Sequence, residues 1–366
     1  MISVKRYHFD DSELKKVWFE IENDSYSYIF QSYHWCQNWI KKIGINKKKY
    51  EIFILVASEN DKPIAIFPFV IKKFIFFSIL EFIGDDQFDY NSPLIRKNTS
   101  NIESIWSEIK EKIPKHDVKV FKRLPEFLGE NFNPFLKLFP KRIIQLSHQL
   151  FLKKNSENTN LISKRTKKNV LRSKRKLSEL GNLDIFICEN SNDYEKTINE
   201  TLKQKEKKYI ETGVRNILHK KIIKNFYTSL FQLNQYNLNV HLSSLNLNGE
   251  ILATHLGFIY KKTFYYIFPT YKSSQYDKYS PGKVLLYELV QLSIKHEMKI
   301  FDLTIGSEDY KKKWSNSSMK IYTCCEHKSL KGFLYLIFFN LFIYLKNFEK
   351  LKKSILIINK RLKIIK

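Results

Sequence analysis

The chain has 366 residues and a formal net charge of +26, from 63 Lys and Arg against 37 Asp and Glu. With 43% hydrophobic and 15% aromatic residues, the composition excludes a disordered chain, and the length is sufficient for two domains with their own cores. The basic excess favours an anionic partner: nucleic acid, an anionic membrane surface or a phosphorylated substrate. A genomic bias toward Lys, Asn and Ile is an equally good explanation.

The N-terminus and the cysteines indicate a compartment. Residues 1–16 lack the apolar core of a secretion signal, which predicts a cytoplasmic protein. The cysteines have no metal-ligand spacing, so we predict free thiols in a reducing environment and no metal site. They are Cys36, Cys188, Cys324 and Cys325.

Two features in the first half are candidates for binding a substrate. The helix-like aromatic run FQSYHWCQNW contains His34, either a base or substrate contact or, more commonly, a core histidine. Further on, an acidic loop interrupts the basic chain and suits a cationic amine, with a solvated surface loop as the alternative. It contains Asp85, Asp86, Asp89 and Tyr90.

Three local patterns occur twice, each time 188 positions apart, and their common offset predicts a duplicated domain. The pairs are Asn60-Asp61 with Asn248-Gly249, Ile64-Ala65 with Leu252-Ala253, and Asp89-x-x-Ser92-Pro93 with Asp277-x-x-Ser280-Pro281. The first pair is typical of hairpin turns.

The second half predicts a mixed α/β order. A basic helix ends at Gly181, and a strand, two helices, three strands, a loop, a helix and a strand follow it. The predicted ranges are 163–180, 183–189, 192–210, 219–236, 239–246, 250–260, 263–270, 283–297 and 299–305. The strand-loop-helix-strand unit at the end predicts one parallel pair in an otherwise antiparallel sheet.

The loop between the last two strands is the most informative segment. Pro281 suits a helix start and Gly282 allows close approach to the backbone, so the exposed N–H groups and the helix dipole can hold a phosphate. Asp302 lies inside the last strand, where carboxylates are rare and need partners. The segment predicts a phosphate-bearing cofactor beside a second loop that contains Glu308, Tyr310 and Lys311.

This order resembles the GNAT N-acyltransferase fold. It is closer to the duplicated CelD-like and BioF-neighbourhood acetyltransferase-like proteins, and is distantly similar to Fem-type peptidyltransferases. The matching runs are YDKYSPGKVLL, IFDLTIG, GSEDYKKKW, FQSYHWCQNW and IGDDQFDYNSPLI, together with the basic helix, within about residues 25–325.

The resemblance implies an α/β fold (an α+β mixed sheet) with tandem GNAT-like domains. We expect an acceptor-side domain over residues 1–155, an acyl-CoA-binding domain over 156–330 and a basic amphipathic helical tail over 331–366. It further implies acyl transfer from acetyl-CoA or another acyl-CoA to an amine. The acceptor is a small molecule or a cell-envelope amine: an amino sugar, a cell-surface or polysaccharide precursor, or an amino-acid derivative.

Residue roles follow from the same resemblance. The backbone N–H groups of Gly282, Lys283 and Val284, helped by Ser280, are expected to hold the cofactor pyrophosphate, whereas the alternative is an ordinary capped helix. Lys311 matches the lysine of the family's glycine-x-glutamate-x-tyrosine-lysine pattern and is expected to lie beside the thioester oxygen or the phosphates. The alternative is an ordinary surface lysine.

The remaining candidates also have two interpretations. Glu308 either accepts the amine proton through water or caps a helix, and Tyr310 either protonates the leaving thiol or packs. Asp302 either orients Lys311 or the amine, or pairs with an arginine or the backbone. His255 is a base or substrate contact, or more commonly a core histidine.

The sequence leaves two alternative functions, neither of which involves catalysis. The basic helix favours nucleic acid, although its charges surround the helix and no binding motif flanks it. Its cations are Lys164, Arg165, Lys167, Lys168, Arg172, Lys174, Arg175 and Lys176. The tail over residues 331–366 either contacts an anionic membrane at its inner face or covers a groove of the protein.

Overall fold

The contacts within the chain divide it into two units. Unit 1 comprises Met1–Ile144, Ile210–Arg215 and the described residues from Ile321 onward, and unit 2 comprises Gln145–Tyr209 and Asn216–Lys320. The computed structural model describes residues 1–99, 101–152, 161–213, 215–236 and 238–347. The predicted boundaries at residues 155 and 330 stay predictions.

Unit 1 contains a mixed sheet with helices. Its strands are β1 (Ile2–Tyr7), β2 (Tyr50–Glu59), β3 (Lys62–Lys73), β4 (Ser78–Phe82), β5 (Leu94–Ile95) and β6 (Val118–Pro125), and β7 (Phe127–Leu128) pairs with β8 (Asn131–Phe132). Its helices before residue 144 are α1 (Ser12–Asn23), α2 (Tyr33–Trp39) and α3 (Ile102–Lys112). Strands β1 to β4 pair antiparallel in sequence order, β5 joins β3, and β4 pairs with β6 in parallel.

Aromatic side chains dominate the core of unit 1. Phe67 and Phe69 of β3 lie against Trp106 of α3, and Phe69 stacks on Phe121 of β6. Strand β3 is buried continuously from residue 64 to residue 71. An uninterrupted apolar strand is typical of a sheet covered on both faces, which explains why this segment does not alternate.

A buried ionic network lies at the end of β3. The ammonium group of Lys72, whose side chain is 12% exposed, contacts Asp85 Oδ1 at 2.6 Å and also pairs with Glu81. Asp85 in turn accepts from Lys47 and from the Tyr50 hydroxyl, the latter at 3.1 Å. Burial raises the pKa of Asp85, but the charges of Lys72 and Lys47 outweigh it, and the net pKa is lowered.

Replacing Lys72 with methionine is expected to destabilise the protein by roughly 3 kcal/mol, because two buried carboxylates lose their main counter-ion. Urea unfolding at neutral pH measures this. Since the Asp85 pKa is lowered on folding, the carboxylate's contribution is present above its unfolded pKa of about 4 and is lost as pH falls through the folded value, so the difference between variant and wild type should shrink in acid. Lys73→Met is the matched control: Lys73 is 63% exposed, and a change below about 1 kcal/mol is expected. Equal losses in both variants would contradict the assignment.

The strands of unit 2 also pair in both directions. Its strands are β10 (Leu183–Ile187), β11 (Asn239–Leu247), β12 (Glu250–Tyr260), β13 (Thr263–Tyr271) and β14 (Ile300–Ile305); β9 (Lys141–Phe151) and β15 (Ser317–His327) contribute residues to both units. The helices are α4 (Lys164–Ser178), α5 (Ser191–Thr212), α6 (Lys221–Thr228), α7 (Pro281–Lys295) and α8 (Asp309–Trp314), and the last three residues of α5 are assigned to unit 1. Strands β10 to β13 form an antiparallel meander, β13 pairs with β14 in parallel, and β14 pairs with β9 antiparallel.

The predicted order of elements in the second half is confirmed, including the single parallel pair. One prediction was wrong in detail: the helix expected over residues 219–236 ends at Thr228, and a 3-10 helix covers Leu230–Tyr236. Apolar spacing alone does not separate a continuous helix from two short ones, because both bury the same residues.

The basic helix α4 begins and ends as the sequence predicts. The Ser163 hydroxyl caps it by accepting from the Thr166 amide at 3.2 Å. After the helix, Gly181 has a φ of +149°, and a Cβ there would overlap the side chain of Asn248. Glycine therefore allows the end of α4 to approach the β11–β12 turn, where Asn248 Oδ1 accepts from the Asn182 amide.

The repeated dipeptides occupy equivalent turns. Asn60 and Asp61 join β2 to β3 with φ values of 48° and 61°, and Asn248 and Gly249 join β11 to β12 with values of 51° and 80°. Both central residues of each turn are left-handed, as tight hairpins require. In both units the meander of three strands precedes a parallel pair, which agrees with a duplicated fold.

The third repeated pattern shows where the copies differ. After Asp277 the chain passes directly into α7 at Pro281, whereas after Asp89 it forms β5 (Leu94–Ile95) before α3 begins at Ile102. Only the second copy therefore has a helix N-terminus immediately after this loop.

The predicted tail is helical where it is described. Helix α9 covers Leu330–Asn347, and the remainder, residues 348–366, lies outside the described residues. Within the described ranges, none of the helices combines the length and apolarity that crossing a membrane requires.

Candidate functional site

Strands β13 and β14 separate at their carboxyl ends. Among the described residues, pairing between them runs only from Thr263–Ile300 to Tyr265–Asp302, although β13 continues to Tyr271 and β14 to Ile305. The strands therefore leave a cleft lined by backbone groups that the ladder does not pair. The N-terminus of α7 follows β13 after a loop of residues 272–280, which contains a 3-10 helix at Asp277–Tyr279.

Asp302 lies where the two strands separate. Its side chain is fully buried and accepts hydrogen bonds from Gln149 Nε2 at 3.0 Å and from the Thr304 amide at 2.7 Å. Thr304 has a φ of +59°, and the pairing of β14 with β9 shifts register between Asp302 and Ile305. The carboxylate therefore stabilises the bend that turns β14 away from β13. Its bond to the Thr304 amide is the pairing with the backbone that the sequence analysis gave as one alternative for Asp302.

The loop before α7 contains a non-glycine residue with a left-handed backbone conformation. Ser280 is left-handed, with φ +50° and ψ +58°, and its side chain makes no capping bond. Pro281 takes the first helical position as predicted. The amides of Lys283 and Val284 donate to the Ser280 carbonyl at 2.9 and 3.3 Å, so a phosphate would have to share them. A Cβ on Gly282 would contact the Tyr271 ring at an ordinary 3.5 Å, so the glycine is not sterically required.

A pocket of about 660 Å³ opens beside this loop, within unit 2. Three cations line it, Arg165 from α4, Lys283 from α7 and Lys313 from α8, together with the carboxylate of Asp309. Its other lining residues supply hydroxyl and amide groups and an aromatic wall; they are Ser163, Thr166, Asn169, Val170, Ser173, Ser280, Tyr310 and Trp314. Cations and hydroxyl donors on a concave surface fit phosphate groups.

Helix α4 belongs to this pocket, which the sequence did not predict. Its apolar residues Val170 and Leu177 are buried in the core of unit 2, and Lys174 bonds Glu288 of α7 at 2.7 Å. The signal was present in the dense basic run, but sequence alone did not place Arg165 opposite Lys283. The juxtaposition depends on how α4 packs on α7.

Lys311 is buried next to the cleft. Its ammonium group donates to the Ile305 carbonyl at 2.6 Å, at the separated end of β14, and lies 3.6 Å from Glu308. A Cβ on Gly306 would overlap the Glu308 carboxylate and lie 2.6 Å from the Lys311 ammonium group. Lys311 is thus held in place rather than solvated, which excludes the alternative interpretation as an ordinary surface lysine. Glu308 occupies the N-cap position of α8 without a side-chain capping bond, so its capping alternative is wrong.

Two protonation states in this region are defined by burial. Burial, and secondarily the charge of Glu308, raises the pKa of Tyr310, so its hydroxyl stays protonated at neutral pH. Burial and the charges of Lys311 and Lys312 lower the pKa of His148 in β9, so its imidazole is uncharged at neutral pH. His148 was not predicted, because its proximity to Lys311 arises from the pairing of β9 with β14.

Of the two predicted histidines, His255 has a core environment and His34 is only half-buried. His255 is fully buried, stacks on Tyr266 at 4.3 Å, and has no hydrogen-bond partner for its ring nitrogens among the described residues. Burial, then the charge of His241, lowers its pKa strongly. His34 in unit 1 is half-buried beside Phe19, and burial with the charge of Lys15 lowers its pKa to about 4.

The acidic loop of unit 1 is already neutralised by cations. Asp85 has Lys47 and Lys72 as partners, as described above. Arg123 lies 3.5 Å from Asp86 and 3.9 Å from Asp89. Tyr90 is buried, and its carbonyl accepts from Gln31. An acceptor amine at this loop would have to compete with these cations, and the acceptor-binding role of the four residues stays a prediction.

Comparison with known proteins identifies the fold of this chain. Residues 164–312 match the family model of the acetyltransferase (GNAT) domain. The structure resembles that of FemX, with a TM-score of 0.58 and 11% identity over 86% of this chain and 96% of that one. It also resembles L-PGS from Bacillus licheniformis, with a TM-score of 0.53 and 10% identity over 89% and 96% of the two chains. A conserved protein of unknown function from Bacteroides thetaiotaomicron gives 0.51 and 12% over 90% and 100%.

The chain therefore has the fold of the GNAT superfamily, distantly similar to that of Fem-type proteins, as the sequence predicted. The domain match supports an acyltransferase that acts on an amine. A search of curated protein sequences finds no match.

Proposed function

We propose that this protein is an N-acyltransferase whose donor is an acyl-CoA, with acetyl-CoA as the first candidate. The observation that carries the proposal is the pocket in which Arg165, Lys283 and Lys313 converge beside Ser280 at the start of α7. Those cations and hydroxyls fit the phosphates of coenzyme A, and the cleft between β13 and β14 offers unpaired backbone to an extended chain. When bound, the donor supplies an acyl thioester.

The residues around the cleft suit the demands of amide formation. The amine nitrogen bonds to the thioester carbonyl carbon and the carbon–sulfur bond breaks. The proton that nitrogen loses is balanced by the proton that the leaving sulfur gains, so the sulfur departs as a thiol. Lys311, held at Ile305, would provide positive charge near the developing oxyanion. Tyr310 stays protonated and would donate to the leaving sulfur. Glu308, which is solvent-exposed, and neutral His148 are the candidate proton acceptors.

The acceptor is proposed by class only. It is a small-molecule or cell-envelope amine such as an amino sugar, a polysaccharide precursor or an amino-acid derivative, met in the cytoplasm or at the inner face of the membrane. The acids Asp85, Asp86 and Asp89 are its proposed contacts. Displacing Lys47 or Arg123 from them by an acceptor amine exchanges one cation for another and leaves no carboxylate unpaired.

Calorimetric titration with coenzyme A and acetyl-CoA, against ADP and a DNA oligonucleotide, tests the donor. We expect saturable binding of both coenzyme A species, weaker binding of ADP, and DNA binding that disappears as salt is raised. Release of free thiol from acetyl-CoA on addition of a panel of amines then tests transfer. No response to coenzyme A, together with tight DNA binding at high salt, would reject the proposal in favour of nucleic acid.

A further inference from the structure

Helix α9 covers unit 1 with one face, and none of the residues that the structure describes covers its opposite face. Tyr335, Leu336 and Phe339 pack against the sheet at Val118 and Val120. The outward residues are large, apolar and exposed: Phe333, Leu334, Ile337, Phe338, Leu341, Phe342, Tyr344 and Leu345. Phe338 is 68% and Phe342 64% exposed. An apolar surface of this kind marks a binding surface in a folded protein.

The orientation of α9 is determined at its first turn. The Ser329 hydroxyl donates to the carboxylate of Asp117 at 2.6 Å, and the Lys328 amide donates to the Asp117 carbonyl at 2.7 Å. A Cβ on Gly332 would overlap that same carbonyl, so the glycine lets the helix lie directly against the start of β6. The helix therefore cannot rotate to bury its outward face without breaking these contacts.

A second exposed segment extends the apolar face. The turn between β3 and β4 presents Phe74, Ile75 and Phe76, of which Ile75 is 85% exposed. Phe74 stacks on Phe77 with ring centroids 4.8 Å apart, and Phe77 lies 5.2 Å from Tyr335 of α9. The turn and the helix thus form one continuous surface, the α9 face.

The charged residues of the described part of α9 are basic, and two further cations lie beside it. No acidic residue occurs between residues 330 and 345, and Lys331 is exposed at the start of the helix. On one side, Lys141 and Arg142 share a recess of about 270 Å³ with Leu336, Phe339 and Ile343 of the helix. In the sequence that follows, residues 348–366 read FEKLKKSILIINKRLKIIK, in which Lys and Arg alternate with Ile and Leu and Glu349 is the lone acid.

We propose that the α9 face binds the surface of an anionic lipid bilayer, with α9 in the plane of the interface and the Phe74–Phe76 turn inserted beside it. A convex helix with exposed Phe and Leu suits a deformable lipid surface, whereas a protein partner would need a matching groove. The flanking Lys and Arg complement phosphate headgroups, and the recess at Arg142 can receive one. The membrane-binding proposal is independent of the proposed acyl transfer. Vesicle binding and turnover are measured separately, so either proposal can fail without the other.

Vesicle sedimentation with the full chain tests the proposal. We expect binding to vesicles of phosphatidylcholine with phosphatidylglycerol and much less to phosphatidylcholine alone. The neutral double substitution Phe338→Ser/Phe342→Ser should weaken partition at least about tenfold, because two apolar side chains no longer leave water. Ile45→Ser/Leu180→Ser removes two exposed apolar residues elsewhere and should leave partition unchanged.

An inserted probe gives an independent measurement. Cys36, Cys188 and Cys324 are buried and Cys325 is half-buried, so Ile75→Cys can be labelled selectively with an environment-sensitive dye. Its emission should shift to the blue on anionic vesicles. Equal partition of the Phe338→Ser/Phe342→Ser variant and wild type would overturn the proposal and show binding by charge alone. Self-association that this variant abolishes, without vesicle binding, would overturn it in favour of a second copy.

Discussion

Reversing the two pocket cations at the start of α4 and α7, Arg165→Glu with Lys283→Glu, is expected to weaken coenzyme A binding about 100-fold, because two attractive contacts to phosphate become repulsive. Both side chains are exposed and line the same pocket, so the folded state should tolerate the change. Titration calorimetry with coenzyme A measures the dissociation constant, and thermal unfolding without ligand checks that the fold is kept.

The matched control is Lys168→Glu with Lys295→Glu. These lysines lie on the same two helices, are exposed and do not line the pocket, and the change in net charge is identical. If the control weakens coenzyme A binding as much as the pocket variant, the general field of a +26 chain holds the donor, and the pocket assignment is wrong.

Replacing Lys311 with methionine is expected to lower turnover about 100-fold while coenzyme A binding changes little, because a buried cation beside the cleft acts on charge that develops in the reaction. Methionine approximates the length of the lysine stem and limits the cavity. The exposed neighbour Lys312→Met is the control and should retain turnover. Steady-state release of thiol gives kcat and KM separately.

A second variant keeps the Lys311 assignment testable if Lys311→Met unfolds. Gly306→Ala adds a methyl group where the Glu308 carboxylate and the Lys311 ammonium group now lie, so it should displace the pair and reduce kcat. Turnover that survives in both variants would remove Lys311 from the mechanism and leave positioning alone as the source of rate.

The sequence was most informative where a local rule determines the structure. The hairpin at Asn248-Gly249 was predictable because left-handed turns favour these residues, and the strands on either side follow from alternation over short runs. The start of α7 at Pro281 and the end of α4 before Gly181 follow equally local preferences. A parallel pair was predictable from the intervening helix, since parallel neighbouring strands need a long crossover connection and that connection is usually a helix.

The site depended on contacts between residues far apart in the sequence. Arg165 and Lys283 line the same pocket because α4 packs on α7, and no local pattern in either helix encodes that docking. His148 comes near Lys311 through the pairing of β9 with β14. Asp302 was noted as an unusual strand carboxylate, but its partners, Gln149 and the Thr304 amide, became known only from the bend in β14.

By itself, the sequence predicted the order of elements in the second half, the repeated hairpin turns and the helix start at Pro281, because turn chemistry and apolar periodicity act over a few neighbouring residues. Only the tertiary structure showed that β13 and β14 separate after Tyr265 and Asp302 and that the basic helix lines the pocket. It also showed the exposed apolar face of α9. Each of these depends on which surfaces dock and how closely. Docking is set by side-chain shape and burial across the whole unit rather than by any local run of residues.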